Sequence, residues 1–190
     1  METKDVLRTR RSVRKYKSDP IPEEDLAEIL EAACHAPSGV NLQPWYFVAV
    51  TSPEGMAGLR EIMGRVTDKF RPVLTERFAK HPETVKQTES FLISLGGAPV
   101  CVLAFLLKDY PDREGTLQSV AAATENLLLA AWDKGIGSCW MSAPQRMGFG
   151  EELRARFAPD KGEFVAAITL GYPDETPKMP PRREGRWTIL

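Results

Sequence analysis

Two stretches decide how the chain reads: Arg10-Arg11-Ser12-Val13-Arg14, and Ala36-Pro37-Ser38-Gly39-Val40-Asn41-Leu42-Gln43-Pro44-Trp45. The first packs three guanidinium groups and a hydroxyl into five residues. The second is a polar turn that leads straight into Trp45-Tyr46-Phe47-Val48-Ala49-Val50, a short run of aromatic and β-branched residues bounded by prolines. Such a run reads as a buried strand. Two similar runs follow, Pro99–Leu106 and Phe164–Leu170, with a shorter strand over Ile136–Met141.

Helical patterns lie between the strands. Lys4–Thr9 is a short helix. After the turn at Asp19-Pro20-Ile21-Pro22, Pro22 suits a first helical position, and Glu23, Glu24 and Asp25 meet the positive end of the helix dipole. Leu26, Ile29, Leu30 and Ala33 follow at i, i+3, i+4 and i+7, one apolar face, and Pro37 stops the helix. From Glu54 to Ser94 the helical pattern is weak, heavily charged and broken at Pro72 and Pro82. Thr116–Lys134 is predicted as the longest helix, apolar nearly all round, closed by Gly135 and packed on both sides or in a subunit interface. Ala143-Pro144 begins a turn, and Glu151–Phe157 is a surface helix. The tail is extended, yet ends in Trp187-Thr188-Ile189-Leu190, too apolar for a free end. The alternation of strands and helices predicts an α+β or α/β layered fold in a single domain, residues 1–190.

Composition narrows the function. An apolar fraction of 43% with 27% charged residues belongs to a soluble globular chain. Lys plus Arg (25) nearly cancels Asp plus Glu (26), so no global field favours nucleic acid or an anionic membrane. An anion site must come from local clusters, at Arg10–Arg14 and at Arg182-Arg183-Glu184-Gly185-Arg186. No apolar run approaches bilayer length, and the acidic N-terminus lacks the apolar stretch of a signal peptide. Cys34, Cys101 and Cys139 are odd in number and far apart among apolar neighbours, so buried reduced thiols in a cytoplasmic protein are expected.

The usual catalytic signatures are absent. There is no phosphate-binding lysine loop, no dinucleotide glycine fingerprint and no nucleophile elbow; Gly135-Ile136-Gly137 lacks the third glycine and follows a helix. A Ser38–His35 pair has no third member, and Cys139 lies in an apolar strand without a cationic neighbour. Taken alone, the arginines could be a solvated basic face. Against this, they bracket a serine, offering the fork donors and hydroxyl that phosphate oxygens take. The second basic cluster, and the amide and hydroxyl groups of Ser38, Asn41 and Gln43 beside an aromatic strand, suit a planar heteroaromatic ligand.

Arg10-Arg11-Ser12-Val13-Arg14-Lys15-Tyr16, followed by Ala36-Pro37-Ser38-Gly39-x-Asn41-x-Gln43-Pro44-Trp45-x-Phe47, resembles the N-terminal signature of the nitroreductase family of FMN-dependent oxidoreductases. Ala122-Ala123-x-x-Asn126-Leu127-Leu128-Leu129-Ala130-Ala131, Gly135-Ile136-Gly137-Ser138-Cys139-Trp140, Gly171-Tyr172-Pro173 and Pro180-Pro181-Arg182-Arg183 match later segments. The resemblance implies an α+β fold, with a small central mixed sheet flanked by helices, and an intertwined homodimer. The tail 172–190 would dock on the partner as an edge strand.

It also implies two FMN sites at the dimer interface. Arg10, Arg11 and Ser12 would bind the phosphate, closed over by Arg182 or Arg183. Arg14 would sit at the pyrimidine edge and stabilise the negative charge of the reduced ring. Pro37, Ser38, Gly39, Asn41 and Gln43 would approach from the other subunit, and Trp140, Met141, Ser142 and Ala143 would present amides near flavin N5. Reduced nicotinamide, NADH or NADPH, and then an electron-poor acceptor such as a nitroaromatic or quinone, would use one slot in turn. Halide-removing, flavin-cleaving and azoline-dehydrogenating branches of the family, and a non-catalytic flavin-binding protein, are the alternatives that the unmatched segment Glu54–Ser94 leaves open.

Overall fold

A computed structural model describes all 190 residues. Its frame is a four-stranded sheet of β1 (Trp45–Val50), β2 (Val100–Leu106), β3 (Gly137–Met141) and β4 (Phe164–Gly171), in the order β1-β2-β4-β3. Every ladder is antiparallel. The only parallel pairing is a single bridge, Ser12 to Ser138, so the mixed character expected of the sheet is confined to that point. β2 and β4 are the central strands. Helices cover both faces, which is why their sequences are continuous apolar runs although the sheet is antiparallel.

On one face lie α2 (Glu23–Cys34) and α5 (Arg113–Asp133), enclosing Val102, Ala104, Ile168 and Leu170. On the other lie α3 (Pro53–Arg77), α4 (Pro82–Ser94) and α7 (Gly150–Phe157), over Cys101, Leu103, Phe105 and Phe164. Short α1 (Thr3–Thr9) and α6 (Ala143–Arg146) complete the helices. In α2, Leu26, Ile29 and Ala33 form the buried stripe, as their spacing requires. Pro22 stands one position outside the helix, at its N-cap.

Several expectations need correction. Pro72 does not break the middle segment. α3 runs through it for 25 residues and is the longest helix, exceeding the 21 of α5. An interior proline costs about 3 kcal/mol, whereas each large apolar side chain buried yields about 1.5–3 kcal/mol. Val66, Phe70 and Leu74 keep the buried period across Pro72, so packing wins. α5 starts at Arg113, because the Asp112 carboxylate caps it by accepting from the Gly115 N–H at 2.9 Å. Ala143-Pro144 opens the short helix α6 instead of a turn. Cys34 is exposed at the end of α2; only Cys101 and Cys139 are buried. The tail beyond Asp174 is extended and exposed, and forms no strand within this chain. β1 keeps an open outer edge.

Burial pushes the Cys101 thiol up to about 12, and it also raises the Tyr16 phenol. Both groups are neutral when folded and ionise more readily when unfolded. Their contribution is therefore intact below the unfolded thiol's pKa, near 9, and is lost as the pH climbs toward 12. We expect the urea midpoint to fall above pH ~9, and Cys101→Ala to make that fall shallower. An unchanged slope in the variant would remove Cys101 from the account.

Candidate functional site

The Arg10–Tyr16 segment lies against β3 as a fragment of a fifth strand. The Val13 N–H donates to the Ser138 carbonyl at 2.9 Å, and the Val13 side chain is fully buried. A Cβ on Gly137 would meet Val13 Cγ2 at 2.7 Å, so the absent side chain makes the seat. Gly96 lines the other side of the segment. Its φ is +66° and a Cβ there would come within 2.3 Å of the Arg14 carbonyl oxygen, a double requirement that only glycine meets. The Tyr16 N–H donates to the Gly96 carbonyl at 3.0 Å.

Tyr16, 6% exposed, ties this segment to the sheet. Its hydroxyl donates to the Val13 carbonyl at 2.5 Å and lies 2.8 Å from the Thr169 hydroxyl on β4. With that anchor the backbone is fixed, and the alternating side chains of Ser12 and Arg14 are left on the accessible side. The root of the tail straps the segment further. The Lys17 N–H donates to the Tyr172 carbonyl and the Asp174 N–H to the Lys15 carbonyl, both at 2.9 Å. The Glu175 carboxylate accepts from the Arg14 N–H at 2.5 Å, and Lys15 pairs with Asp174 at 2.8 Å.

Two cavities meet at this segment. One of about 390 Å³ is surrounded by Arg10, Arg11, Ser12, Arg14, Lys178 and Arg182, with the rings of Pro177 and Pro180 as its apolar surface. Five cations thus face one space although the whole chain is nearly neutral; the expected Arg182 is joined there by Lys178, which the sequence reading did not include. Their freedom differs. Arg11 is largely buried and donates to the Arg8 and Arg10 carbonyls at 2.8 and 2.5 Å, while Arg10 lies 3.5 Å from the Glu125 carboxylate. The second cavity, about 900 Å³, shares Ser12, Arg14 and Pro177 with the first. It extends along α4 past Ser94, Phe91, Ser90 and Gln87 to Phe78. The Arg14 guanidinium lies over the Phe91 ring at 6.0 Å. A third cleft, of 510 Å³ around Glu163, has its two cations already paired, Arg154 to Glu151 and Lys161 to Asp160, and offers an anion nothing free.

The structure therefore brings Arg10, Arg11, Ser12, Arg14 and Arg182 together. Arg183 does not line this cavity, nor do Trp140, Met141, Ser142 and Ala143 at the end of β3. Pro37, Ser38, Gly39, Asn41 and Gln43 also line neither cavity within one chain; their turn packs against α5. Val40, Asn41 and Gln43 adopt positive φ values of 47°, 57° and 47°. Asparagine tolerates this region, but a β-branched valine pays about 1–2 kcal/mol for it, and Val40 is 98% exposed. The turn is held by the Gln43 N–H donating to Ser38 Oγ at 2.9 Å and Gln43 Nε2 donating to Asn41 Oδ1 at 3.0 Å. Ser38 is thus engaged with Gln43, and His35 caps α2 at the surface, so no nucleophilic pair forms. The α4 residues are the part of the site that the sequence reading missed.

Tyr16→Phe removes the hydroxyl that holds the Val13 carbonyl and leaves the volume unchanged. We expect a loss of about 1–2 kcal/mol in urea unfolding, the cost of an unpaired buried acceptor. No loss would mean that the segment is held by the Gly96 and Ser138 contacts alone.

Residues 7–172 match the model of the Nitroreductase family. An NADH dehydrogenase of Thermus thermophilus is 51% identical, with 92% of this chain and 88% of that protein aligned. An iodotyrosine deiodinase of Thermotoga neapolitana is 31% identical over 95% of this chain and 93% of its own length. Among solved structures, a nitroreductase with bound FMN from Bacteroides fragilis is 28% identical, superimposes with a TM-score of 0.76, and covers all of this chain and 99% of the other.

Proposed function

The chain belongs to the nitroreductase family, and from that premise we propose that it binds FMN and uses NAD(P)H to reduce small electron-poor acceptors, nitroaromatics and quinones among them. The observation that carries the reading is the union of the two cavities at Ser12 and Arg14: a five-cation pocket opening into a larger chamber that holds two aromatic rings, Phe78 and Phe91. The residues fit the cofactor. The small cavity matches a phosphate in charge and donor type, and the larger one has room for a flat ring system.

In this reading Arg10, Arg11 and Ser12 hold the phosphate, with Arg182 closing from the tail. Arg14 holds a positive charge at the pyrimidine edge. Its backbone is held by Gly96 packing on its carbonyl and by Glu175 accepting from its N–H, and its guanidinium lies over the Phe91 ring. FMN, when bound, supplies the hydride chemistry. Donor and acceptor use the chamber in turn.

The proposal includes a homodimer. The strained, exposed turn at Val40 carries Pro37, Ser38, Gly39, Asn41 and Gln43 away from both cavities, and a second copy would bring these residues to the ring. Strain of this kind persists where it serves a site. The open edge of β1 and the apolar end Trp187–Leu190 give the two copies a way to interlock, with residues 1–190 as one unit and the tail 172–190 docked on the partner. Reductive removal of halide is the second reading, supported by the similarity to the deiodinase.

An absorbance spectrum of the purified protein, followed by anaerobic NADH or NADPH, tests the first reading. Oxidised flavin bands that bleach on addition are expected. A protein that stays colourless after incubation with FMN overturns the assignment. Halide release from an iodinated phenol, without turnover of nitroaromatics, would select the second reading. Arg14→Ala should lower the flavin midpoint potential by about 30–60 mV, the equivalent of one lost charge contact of ~1.4–3 kcal/mol in a two-electron couple. An unchanged potential would return Arg14 to a solvated face.

A further inference from the structure

The wall that α4 gives to the larger cavity is unlike an ordinary helix face. Thr84, Gln87, Thr88, Phe91 and Ser94 recur at i, i+3, i+4, i+7 and i+10, so they share one side of the helix, and all five line the cavity. A stripe at that spacing is usually apolar when it faces the interior. Here four of its five residues carry hydroxyl or amide groups, and the single aromatic ring, Phe91, lies under Arg14. Such a wall suits a ligand with polar substituents and is poorly matched to a plain hydrocarbon ring.

The charges of the same cavity differ in how far they are committed. Lys15 is paired with Asp174 at 2.8 Å. The Glu175 carboxylate is held by the Arg14 N–H at 2.5 Å. Lys86 also lines the cavity, and no carboxylate lies within 4.0 Å of its ammonium. It sits near the start of α4, eight residues from Ser94, a separation of about 12 Å at 1.5 Å per residue. Cations thus stand at both ends of the chamber, Arg14 with Phe91 and Ser94 at one and the unpaired Lys86 with Phe78 at the other.

We infer that the acceptor is an aromatic compound bearing an anionic side arm, its electron-poor ring lying at the Arg14 end and its carboxylate or equivalent anion meeting Lys86. The inference rests on the flavin reading above and narrows its substrate class. Lys86 acts as a specificity residue: it selects the acceptor and takes no part in the transfer. A compact neutral ring would leave the far end of the chamber filled with water and its cation unanswered.

The test compares 4-nitrocinnamate with 4-nitrocinnamamide, nearly equal in shape and different in charge, on the flavin-loaded enzyme with saturating NADH. The expected result is a kcat/KM about ten-fold higher for the carboxylate, falling toward equality with added salt because the attraction is electrostatic. Lys86→Met should bring the ratio near one, and Lys86→Arg should retain it. Calorimetry supplies a readout independent of turnover. The non-reducible 3-phenylpropionate should bind the wild-type holoprotein more tightly than 3-phenylpropionamide, and the difference should vanish in Lys86→Met. If wild type reduces both nitro compounds equally, or if Lys86→Met keeps the preference, the inference fails and the flavin reading stands. If neither is reduced and NADH leaves the flavin oxidised, the flavin reading itself has failed, and this inference with it.

Discussion

A stretch of chain bearing three arginines cannot hold itself in place, since like charges repel and guanidinium groups prefer water. The Tyr16 hydroxyl solves this by bridging the Val13 carbonyl and Thr169 beneath the segment. Everything proposed for the site depends on that buried contact. It turns a solvated basic loop into a strand fragment whose alternate residues point to opposite sides, Val13 into the core and Ser12 and Arg14 toward the cavities. The glycines at 96 and 137 are needed because the fragment sits closer to its neighbours than any side chain would allow.

The layers were legible because their residues obey simple periods. The stripe of α2 and the unbroken apolar run of β2 each express burial directly in residue type. The arginine cluster was legible for a related reason: local density of one charge stands out against a balanced background. Proximity across the chain was legible only where a family resemblance supplied it, as for Arg182, and not for Lys178. Lys178 and Arg182 belong to the same pocket as Arg10 because the tail turns back along Lys15 and Lys17, a path set by backbone hydrogen bonds that no side-chain pattern announces.

The middle segment shows the opposite failure. Pro72 is a strong local signal for a helix break, and it was overruled by Val66, Phe70 and Leu74. In α4 the polar stripe reads as an undistinguished surface helix, and only its position beside Arg14 makes it a chamber wall. The same holds for Val40: nothing in its residue type foretells a left-handed backbone, which arises from the hydrogen bonds among Ser38, Asn41 and Gln43 around it.

The contact between Tyr16 and Thr169 spans 153 residues of sequence, and the strap to Glu175 spans 161. Closing such loops costs chain entropy that nearby contacts cannot offset, so these pairings form late in folding. On the ribosome the consequence is sharper still. The arginine segment emerges before its seat, which does not exist until β3 and β4 have been made. A chain truncated before position 169 would keep Arg10, Arg11 and Arg14 and all of its helices, and still lack the geometry that makes them a site.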